Sequence, residues 1–504
     1  MKKLLVCLLA LLMVLPFAVA CSGDSDDQSK AGSSGNAGTL TTPVADLGGR
    51  EINVLCWDFG TGNKSIKGYT GEIMYDENSS NSVDLAKKEV VARVQELYNC
   101  KIVGTLTSNT NETIPAIVKE QVQADNHEFD ICFDNLAQAS TLALEKFILD
   151  LNTVPGINLK DAWWDQNAVV DLSIGGKNYF TCGDINTFDD QGTWVILFNK
   201  SLKEKQNIEE DFYQLVRDNK WTYDKFVEIC TKNQVTHDSN GDNTLDELDT
   251  WAYGGESFNI YVHLVAAGMK IANKDEVTDL PYLTVSTEAQ TTYTALTRIL
   301  EFYNDENTVM IADSPTYAAK FPWGTYNPFD ETVHKAFIEG RELFYMGGLF
   351  NLVSLRDMAE GQEFGILPIP KNSASQDRYY HTVSHNNASV MFLPASLPAE
   401  DLNNIGLVIS ALGELSKQQV TPEFYDIQLK YRDARDDASG EMLDLIFESR
   451  AFDLGAAFNW GADANGWGGI LGQYMNLDPN VASRFESVYA KSQLALEEFL
   501  NKIK

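Results

Sequence analysis

Oxygen-bearing residues recur along one stretch, Asp238-Ser239-Asn240-Gly241-Asp242-Asn243-Thr244-Leu245-Asp246-Glu247-Leu248-Asp249. Asp238, Asn240, Asp242, Asp246 and Asp249 fall at positions 1, 3, 5, 9 and 12 of a calcium loop, and Thr244 would offer its carbonyl at position 7. Hard oxygen donors alternating around a tight turn are what calcium coordination needs. Two residues depart from the pattern. Asn243 stands where a turn glycine is usual, although Asn tolerates positive φ better than most residues. Asp249 replaces the bidentate Glu and reaches less far. The stretch predicts a structural Ca2+ site; the competing reading is an acidic surface turn.

A second set of chemistry-bearing residues follows apolar runs. Ile52-Asn53-Val54-Leu55-Cys56 leads into Trp57-Asp58, and Asp130-Ile131-Cys132-Phe133 leads into Asp134, Asn135 and Gln138. In an open α/β sheet the loops at the carboxyl ends of strands line the ligand crevice. Amides and carboxylates there suit hydrogen bonding to hydroxyls. Trp57 packed at a strand end, and Asp134 or Asn135 capping a helix, are the competing readings. Signatures of catalysis are missing. None of the six histidines lies in H-E-x-x-H, no G-x-S-x-G occurs, and Gly60-Thr61-Gly62-Asn63-Lys64-Ser65 lacks a phosphate-loop core.

The N-terminus carries an address. Met1-Lys2-Lys3, an apolar run from Leu4 to Val14 and the small residues Ala18-Val19-Ala20 form an export signal over residues 1–20. Ala18-Val19-Ala20-Cys21 resembles the bacterial lipobox, which implies a lipid on Cys21 and attachment to the outer face of the cell membrane. The Ser/Gly/Asp-rich stretch 21–49 predicts a flexible tether. Loss of residues 1–20 takes the net charge from -33 to -35, which argues against nucleic-acid partners. Cys56, Cys100, Cys132, Cys182 and Cys230 remain, without C-x-x-C, and Cys56 and Cys132 read as small buried hydrophobes.

The elements that must position these residues alternate. Helical periodicity over Val83–Tyr98 and Pro115–Ala124 separates the strands at Ile52, Lys101 and Asp130. This predicts an α/β chain with a largely parallel sheet, and 504 residues with 44% hydrophobic content suit two lobes. Leu172–Phe180 reads as a hairpin turning at Gly175-Gly176, and Thr222 as the cap of a helix.

The order of the pieces carries a resemblance. Leu149-Asp150-Leu151-Asn152 is followed by Gly175-Gly176-Lys177-Asn178-Tyr179-Phe180, then Phe198-Asn199-Lys200, Trp221-Thr222-Tyr223-Asp224-Lys225-Phe226 and Gly365-Ile366-Leu367-Pro368-Ile369-Pro370. From about Arg50 onward the chain resembles the sugar-binding extracellular solute-binding proteins of ABC importers, the family of maltose-binding protein. The resemblance implies a periplasmic-binding-protein-like fold of two α/β lobes. Residues 50–182 with 334–384 would form lobe 1, and 183–333 with 385–504 lobe 2. Crossings would fall near Phe180–Asp184, His334 and His385. It also implies a monomer that delivers an oligosaccharide to ABC permease subunits. Trp57, Phe350, Trp460 and Trp467 would stack on sugar faces. Asp58, Asp134, Asn135, Gln138, Asp184, Asn186 and Glu256 would bond hydroxyls, with Phe258 also facing the cleft. The Gly-rich surroundings of Trp460 suggest an exposed loop. The rival expectation is an exported glycosidase or lyase.

Overall fold

The computed structural model describes residues 40–60, 69–107, 113–286, 288–358, 361–425, 436–463 and 468–503. Nine strands build two sheets: β1 (Arg50–Cys56), β2 (Cys100–Leu106), β3 (Ile131–Asn135), β4 (Trp194–Asn199), β5 (Trp251–Gly255), β6 (Val309–Ile311), β7 (Glu342–Gly348), β8 (Phe364–Leu367) and β9 (Ser389–Phe392). The first sheet runs β9-β3-β1-β2, with β1 parallel to both neighbours and β9 antiparallel to β3. Ile52, Val54, Leu55 and Cys56 are fully buried. Burial of both strand faces is what a central parallel strand with helices on each side requires.

The second sheet runs β8-β4-β7-β5-β6. β5 is parallel to β6 and β7, while β4 is antiparallel to β7 and β8. The expected helices are present as Ser82–Tyr98 and Thr113–Gln123. Asn81 caps the first through Val83 N, and Thr222 caps Tyr223–Lys232 through Lys225 N. Gly175 and Gly176 both take positive φ beside an Ile174–Lys177 bridge, as the expected turn demands. All five described cysteines are buried and unpaired. Among the described residues no helix is long and apolar enough to cross a membrane.

Strand pairing differs from the expected lobe boundaries. β7 and β8, expected in lobe 1, complete the second sheet, and β9, expected in lobe 2, belongs to the first. The reason lies in burial. Every residue of Glu342–Gly348 is buried, so this segment fits only an inner position, between β4 and β5. The chain therefore makes no crossing at His334; the helix Val333–Ile338 packs on β7. The crossings at residues 181–193 and 383–391 do occur, side by side, through the Thr181–Met391 and Thr193–Val383 bridges. Gly183 allows close approach there, because a Cβ would fall 2.2 Å from the Trp163 carbonyl oxygen. The helix Leu402–Pro422 packs on Ser82–Tyr98, and Asp437–Glu448 packs on β8.

The ordered body also begins earlier than the expected tether allows. Glu414 accepts from Thr41 N at 2.6 Å and from Thr42 N and Oγ1 at 2.9 and 2.7 Å. Leu47 N donates to the Tyr98 carbonyl at 2.8 Å. A carboxylate with three donors docks residues 40–49 on the body. Residues 1–39, including Cys21, lie outside the described part of the chain.

Candidate functional site

The carboxyl ends of β5, β6 and β7 and the start of antiparallel β4 meet at one edge of the second sheet. A cavity of about 330 Å³ opens there. Its rings are Trp194 at the head of β4, Phe258 just past β5, Tyr345 within β7, Phe350 after it, and Trp323 and Phe329 from the Phe321–Phe329 segment. The Trp194 and Phe258 rings lie 5.2 Å apart, and those of Trp323 and Phe329 meet edge to face at 5.2 Å. Trp323 is 57% exposed, whereas Trp194 and Phe350 are buried. Floor and rim are thus both aromatic.

Polar groups enter from the sheet ends and from the second crossing. Glu256, Asp313, Asn351, Ser384, Asn386 and Asn387 all line the cavity. The crossing is held by Ser384 N, which donates to the Gly192 carbonyl at 2.9 Å, and by the His385 carbonyl, which accepts from Ala137 N at 2.9 Å. It therefore joins the amino end of the helix Leu136–Leu144, under the first sheet, to the cavity wall. Asp313 is fixed by Ser257, whose backbone N donates to it at 2.8 Å and whose hydroxyl donates as well. Burial first, and Asp313 second, hold the Glu256 carboxyl well above the usual carboxylate range. His385 packs its ring 5.8 Å from that of Phe258, and burial lowers its pKa to about 4.

Of the residues expected at the site, Glu256, Phe258 and Phe350 come together here. The others take different positions. Trp57 packs against Phe59 at 4.4 Å, in a cluster continued by Phe188, and so follows the strand-end packing reading. Asp58 accepts from Gly60 N at 2.9 Å. Asp134 is 1% exposed and accepts from Asn135 N at 2.7 Å; burial pushes its pKa well up. Asn135 caps Leu136–Leu144 by accepting from Gln138 N at 2.9 Å. These residues do sit at the carboxyl ends of β1 and β3, but local capping and packing occupy their side chains.

Asp184 binds Thr421 Oγ1 at 2.6 Å and Lys417 Nζ at 3.2 Å on Leu402–Pro422. Asn186 donates to Ser389 at 3.3 Å. Both serve the crossing region. Trp460, expected in an exposed loop, is 5% exposed. It stacks on Phe458 with rings 6° from parallel and lies 5.7 Å from Phe499, so the C-terminal helix covers it. Trp467 lies outside the described residues.

Trp194, Trp323, Phe329, Tyr345 and Asn351 were not anticipated. The segment Phe321-Pro322-Trp323-Gly324-Thr325-Tyr326-Asn327-Pro328-Phe329 carried a readable signal, since turn formers alternating with rings mark an exposed aromatic loop. Trp194 carried none, because its place at the site depends on β4 running antiparallel.

In the acidic loop, Asp238 accepts from Gly241 N at 2.6 Å and Asn243 N at 2.7 Å, Asn240 from Asp242 N at 2.9 Å, and Asp242 from Thr244 N at 2.9 Å. Asn243 adopts φ 65°, the conformation required of it. Asp249 is fully buried; the amides of Asp246, Ser239 and Asn240 outweigh that burial and hold its carboxyl below the usual range. Among the described residues no three Asp, Glu, His or Cys side chains already converge on a common point.

Structural comparison places this fold among solved binding proteins. A cyclic alpha-maltosyl-1,6-maltose binding protein from Arthrobacter globiformis aligns with TM-score 0.54 and 11% identity, over 90% of this chain and all of its own. The apo-form of RafE from Streptococcus pneumoniae aligns with TM-score 0.52 and 12% identity, over 91% and 100%. The maltose-binding periplasmic protein MalE from Listeria monocytogenes aligns with TM-score 0.51 and 10% identity, over 90% and 98%. The fold is therefore periplasmic-binding-protein-like. No curated protein matches the sequence. The family model described as bacterial extracellular solute-binding protein matches residues 89–403, more than half of the chain, and the chain belongs to that family.

Proposed function

We propose that the protein is the lipid-anchored substrate-binding component of an ABC importer and captures an oligosaccharide in the cavity at the carboxyl edge of the second sheet. The observation that carries this is the combination of six aromatic rings with amides and hydroxyls in one cleft of a solute-binding fold. Flat apolar sugar faces stack on rings, and hydroxyls bond to neutral polar groups. The relatives named for maltose and cyclic alpha-maltosyl-1,6-maltose support the ligand class. Lipid on Cys21 and the segment that follows would hold the body beside its permease.

Calorimetry with a panel of neutral and substituted oligosaccharides tests the reading. One class should bind and be recovered unchanged. Turnover to shorter products would replace the receptor by an exported carbohydrate-active enzyme. Absence of saccharide binding would end the proposal. We also propose that the loop Asp238–Asp249 takes a structural Ca2+. The positive φ of Asn243 and the Asx turns that fold the loop support it.

A further inference from the structure

The rings of the cavity grade from buried to exposed, and the gradient runs on past the cavity. Trp194, Phe258, Tyr345 and Phe350 are buried, whereas Trp323 at the rim is 57% exposed. Tyr326, three residues on and outside the lining, is 46% exposed. Among the described residues Tyr282 is the one other exposed aromatic side chain. Two neighbouring bare rings beside a cleft are therefore not part of a general scatter of surface aromatics.

The segment that carries them is tightly built. Tyr326 N donates to the Pro322 carbonyl at 3.1 Å, and Gly324 takes φ 88° in the turn, which brings Trp323 and Tyr326 into a bridge. Each exposed ring meets a partner edge to face, Trp323 with Phe329 at 5.2 Å and Tyr326 with Phe321 at 5.8 Å. Asn327 accepts from Phe329 N at 3.2 Å. Just before the segment, Lys320 Nζ pairs with Glu247 at 2.6 Å and lies 5.7 Å from the centre of the Phe321 ring. Rings fixed in this way lose little freedom when a ligand settles on them.

Size and composition name the occupant. A cavity of about 330 Å³ lies at the low end of the roughly 300–1,000 Å³ that small-ligand sites span. It holds the end of an oligosaccharide, and the units beyond that end pass out over the rim. Gly324, Thr325 and Asn327 alternate with the rings, so flat apolar faces and small polar groups are interleaved, as a chain of hydroxylated rings requires. Two rings among polar neighbours fall far short of the roughly 800 Å² that each partner buries in a stable protein interface.

Resting on the solute-binding reading, we infer that Trp323 and Tyr326 form an outer subsite that continues the cavity and stacks successive sugar units of the same chain. The protein thereby selects oligosaccharides longer than the cavity itself holds.

The test uses the intact protein and gluco-oligosaccharides from dimer to hexamer in α-1,4-, β-1,4- and β-1,3-linked series, with calorimetry as the readout. In at least one series affinity should rise about five-fold with each of two units added to the shortest binder, and then level off. Tyr326→Ala should remove the later step and Trp323→Ala the earlier one. Tyr326→Phe and Trp323→Phe, which keep a ring, should retain the steps, and melting curves check that every variant is folded. No rise with length, or a rise that survives both alanine variants, overturns the inference, leaves the exposed rings to a macromolecular partner and lets the solute-binding reading stand. Absence of binding by all three series overturns the inference as well, and the broader panel above decides the solute-binding reading separately.

Discussion

Arg450 Nη1 donates to Asp189 Oδ2 at 3.1 Å, joining residues 261 positions apart in the chain. The same guanidinium pairs with Asp165 and Asp190. Asp189 and Asp190 lie on the first crossing, whereas Arg450 follows the helix Asp437–Glu448. One cation thus gathers the strand crossing and the late chain. Burial first, and Asp190 second, push the Asp189 carboxyl well up.

Arg450→Met should be strongly destabilising. Arg450 is 6% exposed and Asp165 9%, so removing the cation leaves buried carboxylates without a counter-ion. Such losses cost about 3–5 kcal/mol. Urea denaturation measures the change. A loss smaller than about 1 kcal/mol would show that the cluster contributes no net stability.

Stability should fall on the acid side through His381. Its Nε2 accepts from Ile369 N at 3.0 Å, and its Nδ1 lies 2.7 Å from Ser449 Oγ. Burial lowers its pKa from 6.5 to about 3. The folded chain therefore resists protonation while the unfolded chain accepts it. The contribution is fully present above pH 6.5 and is lost as pH falls toward about 3. His381→Asn should lose about 4 kcal/mol less than the parent across that window. Parallel pH curves for the two proteins would count against this account.

Two tryptophans should separate binding from folding. Trp323 is 57% exposed at the cavity rim, and Trp460 is 5% exposed beneath the C-terminal helix. Trp323→Ala should leave stability within about 0.5 kcal/mol and weaken ligand binding by about 1 kcal/mol, roughly five-fold. Trp460→Ala should cost about 3–5 kcal/mol of stability and leave the affinity of the folded fraction unchanged. Reversal of either pattern would relocate the site.

Chelation should lower the melting temperature if the Asp238 loop holds Ca2+. Added Ca2+ stabilises by mass action, about 2.7 kcal/mol at a hundred-fold excess over Kd. The Asp238→Ala, Asp242→Ala double variant should melt alike with and without chelator. Equal melting of the parent protein with and without chelator would refute the site.

Much of the fold is local and was legible. Buried parallel strands read as continuous apolar runs, amphipathic helices show their period, and caps such as Thr222 and Asn135 announce themselves because the bond spans three residues. Glu256, implied at the cleft by the family resemblance, lines the cavity at the carboxyl end of β5. Where the strand end is closed by packing, as at Trp57, or by capping, as at Asn135, the competing reading holds. Trp460 misled because glycines around a ring signal exposure locally, while Phe499, near the end of the chain, covers it.

By itself the sequence determined the α/β class, the family pattern, the acidic loop and the crossings near Asp184 and His385. All depend on residues close together in the chain. Only the tertiary structure decided which sheet β7, β8 and β9 join, because pairing is chosen by burial on both faces rather than by order. It also decided that the Glu256 and Asp313 carboxyls line one cavity. Glu256 and Asp313 are brought together by β5 and β6 lying side by side, and their mutual repulsion exists only once that contact is made.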